Sequence, residues 1–391
     1  MWRWVIVGAL LSGCAFDSAI DVVDRGGAND GGSGVVGQVD AAFDAPPGTP
    51  ADWWNPAFRH RVPITVDFTP ADAELTGFVA LVLLTEDRIA FGDARPDGGD
   101  IRFVSQAGEV LAADLERWTS GGPAYFWVRL PAIPTSGTTS FWLYYGDPAS
   151  EAVRGAGKVW SEYQMVLHLD DDATDEQAAT EHADATGNGN TGKQSGNARI
   201  QTAGTIAGAQ DFDGVNDYID VLSTNLSTTG QALTIHARVF LDSESTSFPH
   251  VYGTGNTASG ANQGRYWQLA WDPSGGGWVN RFRVAGSYED NFTSAGELDQ
   301  WHTLASVYDG SATRIYVDGQ PIASNPATGN LDPLDLSFRI GANSGLAARE
   351  FDGVIDEVRV AHVARGDDWL AAEHLSHTDA LLSYGAVESL P

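Results

Sequence analysis

One run of the sequence has the oxygen density to hold a hard cation: Asp184-Ala185-Thr186-Gly187-Asn188-Gly189-Asn190-Thr191-Gly192. Calcium takes roughly six to eight oxygen ligands and accepts carboxylates, side-chain amides and backbone carbonyls alike. Asp184, Asn188 and Asn190 are therefore the candidate ligands of a structural calcium. The run from Asp211 to Asp217 does not have EF-hand spacing, because its glycine comes too early. Asp213, Asn216 and Asp217 suit a hairpin turn instead. A second chemistry is stacking. Aromatic planes bind the apolar faces of sugar rings while nearby polar groups fix orientation, and Tyr266, Trp267, Trp271, Trp278 and Tyr288 crowd a glycine-rich stretch, 253–291. Of these, Trp267, Trp271, Trp278 and Tyr288 are the candidate ligand-binding residues. Strand alternation puts Trp267, Leu269 and Trp271 on one face, with Tyr266, Gln268 and Ala270 on the other. Trp278 follows Ser274-Gly275-Gly276-Gly277 and is the ring expected in solvent, since a buried glycine run would leave backbone groups unpaired. Trp53, Trp54 and Trp118 could stack in the same way, but the apolar payload of the indole favours packing.

Nucleophilic and metal chemistry is sparse. Neither Gly-x-Ser-x-Gly nor a phosphate-binding Gly-Lys-Ser/Thr occurs. His374 and His377 lie outside the metalloprotease pattern and read as surface or C-terminal helix residues. His60, between Arg59 and Arg61, has no metal partner in the sequence around it. A single cysteine, Cys14, excludes an internal disulfide, a zinc site built from several thiolates and a CxxC redox pair.

The elements that must position these residues are strands. A chain of 391 residues has room for more than one domain, and 42% hydrophobic content with 10% aromatics is enough for real cores. Lys plus Arg number 22 against 52 Asp plus Glu, a formal charge of -30. That balance excludes a nucleic acid held through its phosphates and a polybasic anchor on anionic lipid. From Trp53 to Tyr145 short strands alternate with turn residues. Phe126, Val128 and Leu130 fall on one face of a sheet, and Tyr125, Trp127 and Arg129 on the other. After Lys158 a longer run of strands follows, with Asp318-Gly319 placed where a two-residue hairpin turn needs positive φ. Gly155-Ala156-Gly157 between the two runs reads either as a hinge or as a tight turn. Asp367 to Leu375 reads as a short helix, and a strand near Leu381 to Val387 closes the chain. The fold class expected is all-β: two β-sandwich domains, at 52–150 and 158–388.

Three resemblances add to this. Arg3, the apolar run Trp4 to Leu11 and Leu11-Ser12-Gly13-Cys14 resemble a bacterial lipoprotein signal, 1–14, with Cys14 as the lipidated residue. The apolar run is far short of the ~20 residues that a spanning helix needs. Residues 15–51, rich in Gly, Ala, Asp, Ser and Pro, read as a flexible linker with a reach of roughly 30–35 Å. The resemblance implies a protein of the bacterial cell envelope, held in the membrane through its N-terminal lipid; Ala15 in place of Asp points to the outer membrane. Trp53-Trp54-Asn55-Pro56-Ala57-Phe58-Arg59-His60-Arg61, Gly99-Asp100-Ile101-Arg102-Phe103 and Phe141-Trp142-Leu143-Tyr144-Tyr145-Gly146-Asp147-Pro148 resemble the domain of unknown function 2341, which implies a fold and no chemistry.

The ordered set Val166-Leu167-His168-Leu169-Asp170, Asp211 to Val221, Trp301 to Gly310 and Gly353 to Val360 resembles a laminin-G-like, concanavalin A-like jelly roll. That resemblance implies that Asp356 of the last core strand completes the calcium site. Laminarinase-type glycosidases share the fold and need two carboxyls about 5–5.5 Å apart on one strand face; Glu350 to Glu357 has the wrong spacing, so no enzyme is expected. The function expected is binding of a glycan or glycoprotein. A protein-binding or adhesive spacer without a sugar site is the alternative, and a divergent glycoside hydrolase, with carboxylates drawn from separate strands, a lesser one.

Overall fold

The computed structural model describes residues 51–391 except 153–154, 172–180, 196–200, 223–225, 245–247, 256–264 and 294–295. Cys14 and the linker lie outside the described residues. The remainder is an all-β protein of two sandwiches. In the first, a sheet orders Leu382–Tyr384, His60–Val66, Thr139–Tyr145 and Arg102–Ser105, and faces a second sheet of Val79–Leu84, Ala124–Arg129 and Ala113–Trp118. Apolar side chains such as Ile64, Val82, Phe103, Phe126 and Phe141 fill the space between them.

Alternation in Ala124–Arg129 holds as expected: Phe126 and Val128 enter that core. Yet Trp127 on the opposite face is buried too, with Val79 and Leu81 beside it. The run Val79-Ala80-Leu81-Val82-Leu83-Leu84 has the continuous apolar character of a strand covered on both faces, and that is its position.

The cover is the jelly roll. One of its sheets orders Glu181–His182, Gly192–Ser195, Tyr218–Val221, Phe338–Ile340, His250–Thr254, Trp267–Asp272, Gly277–Val284 and Ser287–Phe292. The other orders Gln201–Ala203, Gly208–Asp213, Asp352–Ala361, Leu233–Leu241, Trp301–Tyr308, Ala312–Val317 and Gln320–Pro326, with Met165–Leu167 also paired to Asp352–Ala361. Their inner faces enclose a core that includes Trp267, Trp271, Trp278, Phe282, Ile315 and Phe351. The outer face of the second sheet contributes Ala305, Val307 and Tyr316 to the apolar cluster of the first sandwich.

Helix Asp367–His377 completes the junction. Asp367 and Asp368 in its first turn suit the positive end of the helix dipole, and Asp368 Oδ2 accepts the backbone N–H groups of Ala71 and Asp72 at 2.8 Å. The helix buries Trp369, Leu370 and Ala372 against the first sandwich, where Ser376 Oγ accepts the Leu81 N–H at 2.8 Å. Gly155 donates to the Ala113 carbonyl at 3.1 Å and the next residues form a helical turn that buries Val159, so the linking glycines make a tight turn rather than a hinge. One expectation is corrected here. The closing strand does not end the jelly roll. Leu382–Tyr384 and Glu388–Ser389 return to the first sandwich and pair with His60–Val66, in the register Ile64 to Tyr384 and His60 to Ser389.

Candidate functional site

The candidate tryptophans are in the core. Trp267 and Trp278 are fully buried and Trp271 is 2% exposed, which overturns the expectation that they meet a ligand. The glycine run is the tip of a hairpin: Asp272 Oδ1 accepts from the Ser274 N–H and hydroxyl, and the Gly276 N–H donates to the Asp272 carbonyl to close the turn. Pairing across that hairpin sets Trp278 opposite Trp271, so both indoles point inward and meet edge to face at 5.2 Å. Ser274 and Gly275 at the tip are exposed, while the chain turns Trp278 inward, its N–H reaching Thr293 Oγ1 at 2.7 Å. Tyr288 is half-buried, with the guanidinium groups of Arg281 and Arg283 each 5.2 Å from its ring centre. Trp53 packs against Tyr144 and its indole N–H donates to the Phe58 carbonyl; Trp54 and Trp118 lie against aromatic neighbours.

The loop expected to hold calcium is closed by its own hydrogen bonds. Asp184 Oδ1 accepts from the backbone of Val166 and Thr186 and from the Thr186 hydroxyl, while its Oδ2 accepts the Asn190 N–H. Asn188 and Asn190 donate their amides to the carbonyls of Tyr163 and Gln164. Asp356 is fully buried on the junction face of its strand. Burial, reinforced by the charges of Glu357 and Glu116 against that of Arg238, holds its carboxyl well above the usual carboxylate range.

Two other arrangements stand out. The first is a pocket of about 160 Å³ on the uncovered outer face of the first jelly-roll sheet. Its floor comes from outward residues of three paired strands, among them His250, Gln268, Ala270, Val279 and Arg281, and Phe248 and Phe292 stand at its rim, 36% and 52% exposed. Arg281 is neutralised by a two-pronged pair with Asp290 across the hairpin. Arg265 and Arg349 also line the pocket and have no ion-pair partner among the described residues. Burial and then the charge of Arg265 hold Arg349 below its ordinary value, with Glu350 opposing. None of these four residues, Phe248, Arg265, Phe292 and Arg349, carried a sequence signal beyond the scarcity of cations in so acidic a chain.

The second arrangement fills the junction. On Asp352–Ala361 a bulge, marked by the register shift between His236 and Arg238 and by φ of 54° at Glu357, turns Asp356, Glu357 and Arg359 all toward the first sandwich. Glu357 Oε1 lies 2.7 Å from His168 Nδ1, and its Oε2 accepts from Arg359. Burial disfavours both charges of the Glu357–His168 pair, but mutual attraction outweighs it: His168 is held well above the usual imidazole range, and Glu357, with Arg359 added, is brought down to about 2. Arg359 lies over Trp127 and Trp160 at 4.2 and 4.7 Å and reaches Glu373 Oε1 at 3.2 Å.

Asp114, Glu116, His168 and Asp170 also line a cleft at this junction. Its acids are engaged: Trp160 Nε1–H donates to Asp114, Trp127 Nε1–H to Glu116, and Asp170 meets Arg117. His377, expected at the surface or in a C-terminal helix, ends the helix Asp367–His377 but is buried beside Trp127 and His236, because the first sandwich covers its helix face.

Stacked antiparallel sheets, with one outer face covered and the other carrying a pocket, define a jelly roll joined to an accessory sandwich. Residues 213–371 match the family model of the concanavalin A-like lectin/glucanases superfamily, and residues 97–183 match that of the domain of unknown function 2341. The second match precedes the first along the chain, in the order its motifs led us to expect. No curated protein matches it.

Among solved structures it is similar to domain 4 of the extracellular arabinanase AbnA from Geobacillus stearothermophilus, in complex with arabinotriose, at 19% identity and TM-score 0.43, over 56% of this chain and 98% of that one. It is also similar to the binding domain of Paraclostridial Mosquitocidal Protein 1, at 11% identity and TM-score 0.45, over 57% of this chain and 53% of that one. A third is the ligand binding domain of botulinum neurotoxin serotype D in complex with N-acetylneuraminic acid, at 12% identity and TM-score 0.41, over 56% and 52%. The chain thus spans about half the length of the two toxin structures.

Proposed function

We propose that the jelly roll binds an acidic carbohydrate in the pocket formed by Phe248, His250, Arg265, Arg281, Phe292 and Arg349. The observation that carries this reading is the pairing of Arg265 with Arg349. In a chain of formal charge -30, two guanidinium groups face one pocket with no carboxylate partner among the described residues. Like charges held together disfavour the empty state, and a ligand carboxylate or sulfate relieves them with charge-assisted hydrogen bonds. The exposed rings of Phe248 and Phe292 supply the apolar faces on which a pyranose ring packs, and Gln268 lines the floor beside them.

A superfamily whose description includes lectins supports a sugar over other acids. Catalysis is not part of this reading, because Asp114 and Glu116 are engaged by indoles and Asp170, Glu357 and Glu373 by arginines. The leader and linker complete the reading: lipid on Cys14 tethers the sandwiches to the bacterial envelope, and residues 15–51 hold them off the bilayer.

Binding of uronate- or sialate-containing oligosaccharides and of their neutral counterparts, measured by calorimetry, tests the proposal. Acidic sugars bind, and Arg265→Ala or Arg349→Ala each weakens them by about tenfold, the scale of one charge-assisted contact, while neutral sugars change little. Silence of every sugar, with and without calcium, would favour the protein-binding spacer. Equal affinity of the arginine variants would remove this pocket from the account, and release of reducing ends abolished by Glu116→Gln would replace binding by hydrolysis.

A further inference from the structure

We propose that His236, Glu373 and His377 form a structural site for a divalent transition-metal ion of the zinc type, fastening the C-terminal helix to the jelly roll. Each residue can turn one ligand atom into a common space, and those atoms lie within 4.8 Å of one another. Two imidazoles and one carboxylate are the donor set of a borderline ion such as Zn²⁺, whereas calcium and magnesium prefer oxygen alone. The three residues are 2%, 4% and 3% exposed.

Independent of the clustering, the imidazoles lack the hydrogen bonds that buried nitrogens ordinarily make. Among the described residues His377 has no hydrogen-bond partner at Nδ1 or Nε2, and His236 has none at Nε2. A buried polar atom without a partner is costly, and coordination is one way to satisfy it. The other nitrogen of His236 does have an orienting contact, Nδ1 lying 3.3 Å from the Glu357 carbonyl oxygen. Glu373 is likewise held, through the Arg359 guanidinium on Oε1 at 3.2 Å. Such outer contacts fix the ligands of a metal site. The charge of Arg359 is balanced by Glu357, with which it pairs.

The placement gives the site a role. Glu373 and His377 stand four residues apart on helix Asp367–His377, so they share its inward face, and His236 belongs to the neighbouring strand Leu233–Leu241. Trp127 of the first sandwich closes over His377 edge to face at 5.5 Å. An ion there would link helix and sheet beneath the junction, a staple in a chain whose single cysteine permits no internal disulfide. The neighbouring trio Glu116, His168 and Glu357 has a similar composition, but there the imidazole is already committed to its carboxylates.

The test uses the purified full chain, loaded with Zn²⁺, dialysed against metal-free buffer, and measured by elemental analysis and thermal unfolding. About one Zn²⁺ per chain is retained, the midpoint rises with Zn²⁺ and falls with chelator, and Co²⁺ in its place gives visible absorption. His377→Gln and His236→Gln, checked as folded by circular dichroism, bind at least about tenfold more weakly. Should either variant fail to fold, the wild-type stoichiometry and chelator response decide. No retained metal with an unmoved midpoint overturns the proposal. So does Zn²⁺ retained equally by the folded variants, or a midpoint that responds to Ca²⁺ and not to Zn²⁺.

Discussion

His250 sits under the pocket with Nδ1 2.7 Å from the Phe248 carbonyl oxygen. Burial above all, then the charges of Arg349 and Arg281, bring its pKa down from 6.5 to about 4. The unfolded chain protonates this imidazole near 6.5 and the folded chain does not until about 4, so its contribution to stability is complete above 6.5 and drains away as pH falls toward 4. At a pH about half a unit above the folded pKa the loss is on the order of 2–3 kcal/mol. Urea midpoints at neutral and acid pH, for wild type and His250→Gln, measure it; an identical acid loss in the variant would assign the effect elsewhere. At this scale the sequence was informative about residue type and poor on exposure. Alternation correctly put Trp267 and Trp271 on one face, but whether that face meets solvent depends on the opposing sheet. Trp278 was misplaced because a glycine run can be satisfied by a hairpin as well as by water.

Among the elements, the closing strands have consequences beyond their length. Glu388–Ser389 and Leu382–Tyr384 cover one edge of His60–Val66, where an open edge would otherwise expose unpaired backbone. Glu388 also accepts from the Arg61 Nε–H at 2.8 Å, beneath Trp142, whose ring centre is 4.0 Å from the guanidinium. Leu381, Leu382 and Leu390 are buried by the return. Deleting residues 380–391 removes all three leucines from apolar surroundings and costs on the order of 5 kcal/mol by area alone. Calorimetry or urea titration checks this, and an unchanged midpoint would show that the first sandwich does not need its last strands. The helix expected from Asp367 to Leu375 forms, and runs on to His377. The partner of the final strand was not, because strand pairing is a long-range choice that local pattern does not encode.

For the molecule as a whole, the two sandwiches are expected to unfold together. Charged residues on Leu233–Leu241 and Asp352–Ala361 are buried only because Trp127 and its sheet cover them, and the chain's end re-enters the sandwich that its beginning started. Separating the halves would expose that apolar cluster and leave residues 52–150 with an open edge at His60–Val66. Scanning calorimetry of the chain should therefore show one transition with calorimetric and van't Hoff enthalpies in agreement; two resolved transitions would mean that the junction is an ordinary interdomain contact.

The sequence by itself determined the all-β class, the two successive sandwiches and the order of the two resemblances, since strand periodicity, turn residues and motif order are written locally. The acidic balance that makes a lone pair of arginines conspicuous is written there too. Only the tertiary structure decided which tryptophans are hidden, that Arg265 and Arg349 line one pocket, and that histidines 141 residues apart, His236 and His377, face each other at 4.9 Å. Those outcomes depend on which faces meet across the junction, and burial is a property of the assembled faces, not of any one strand.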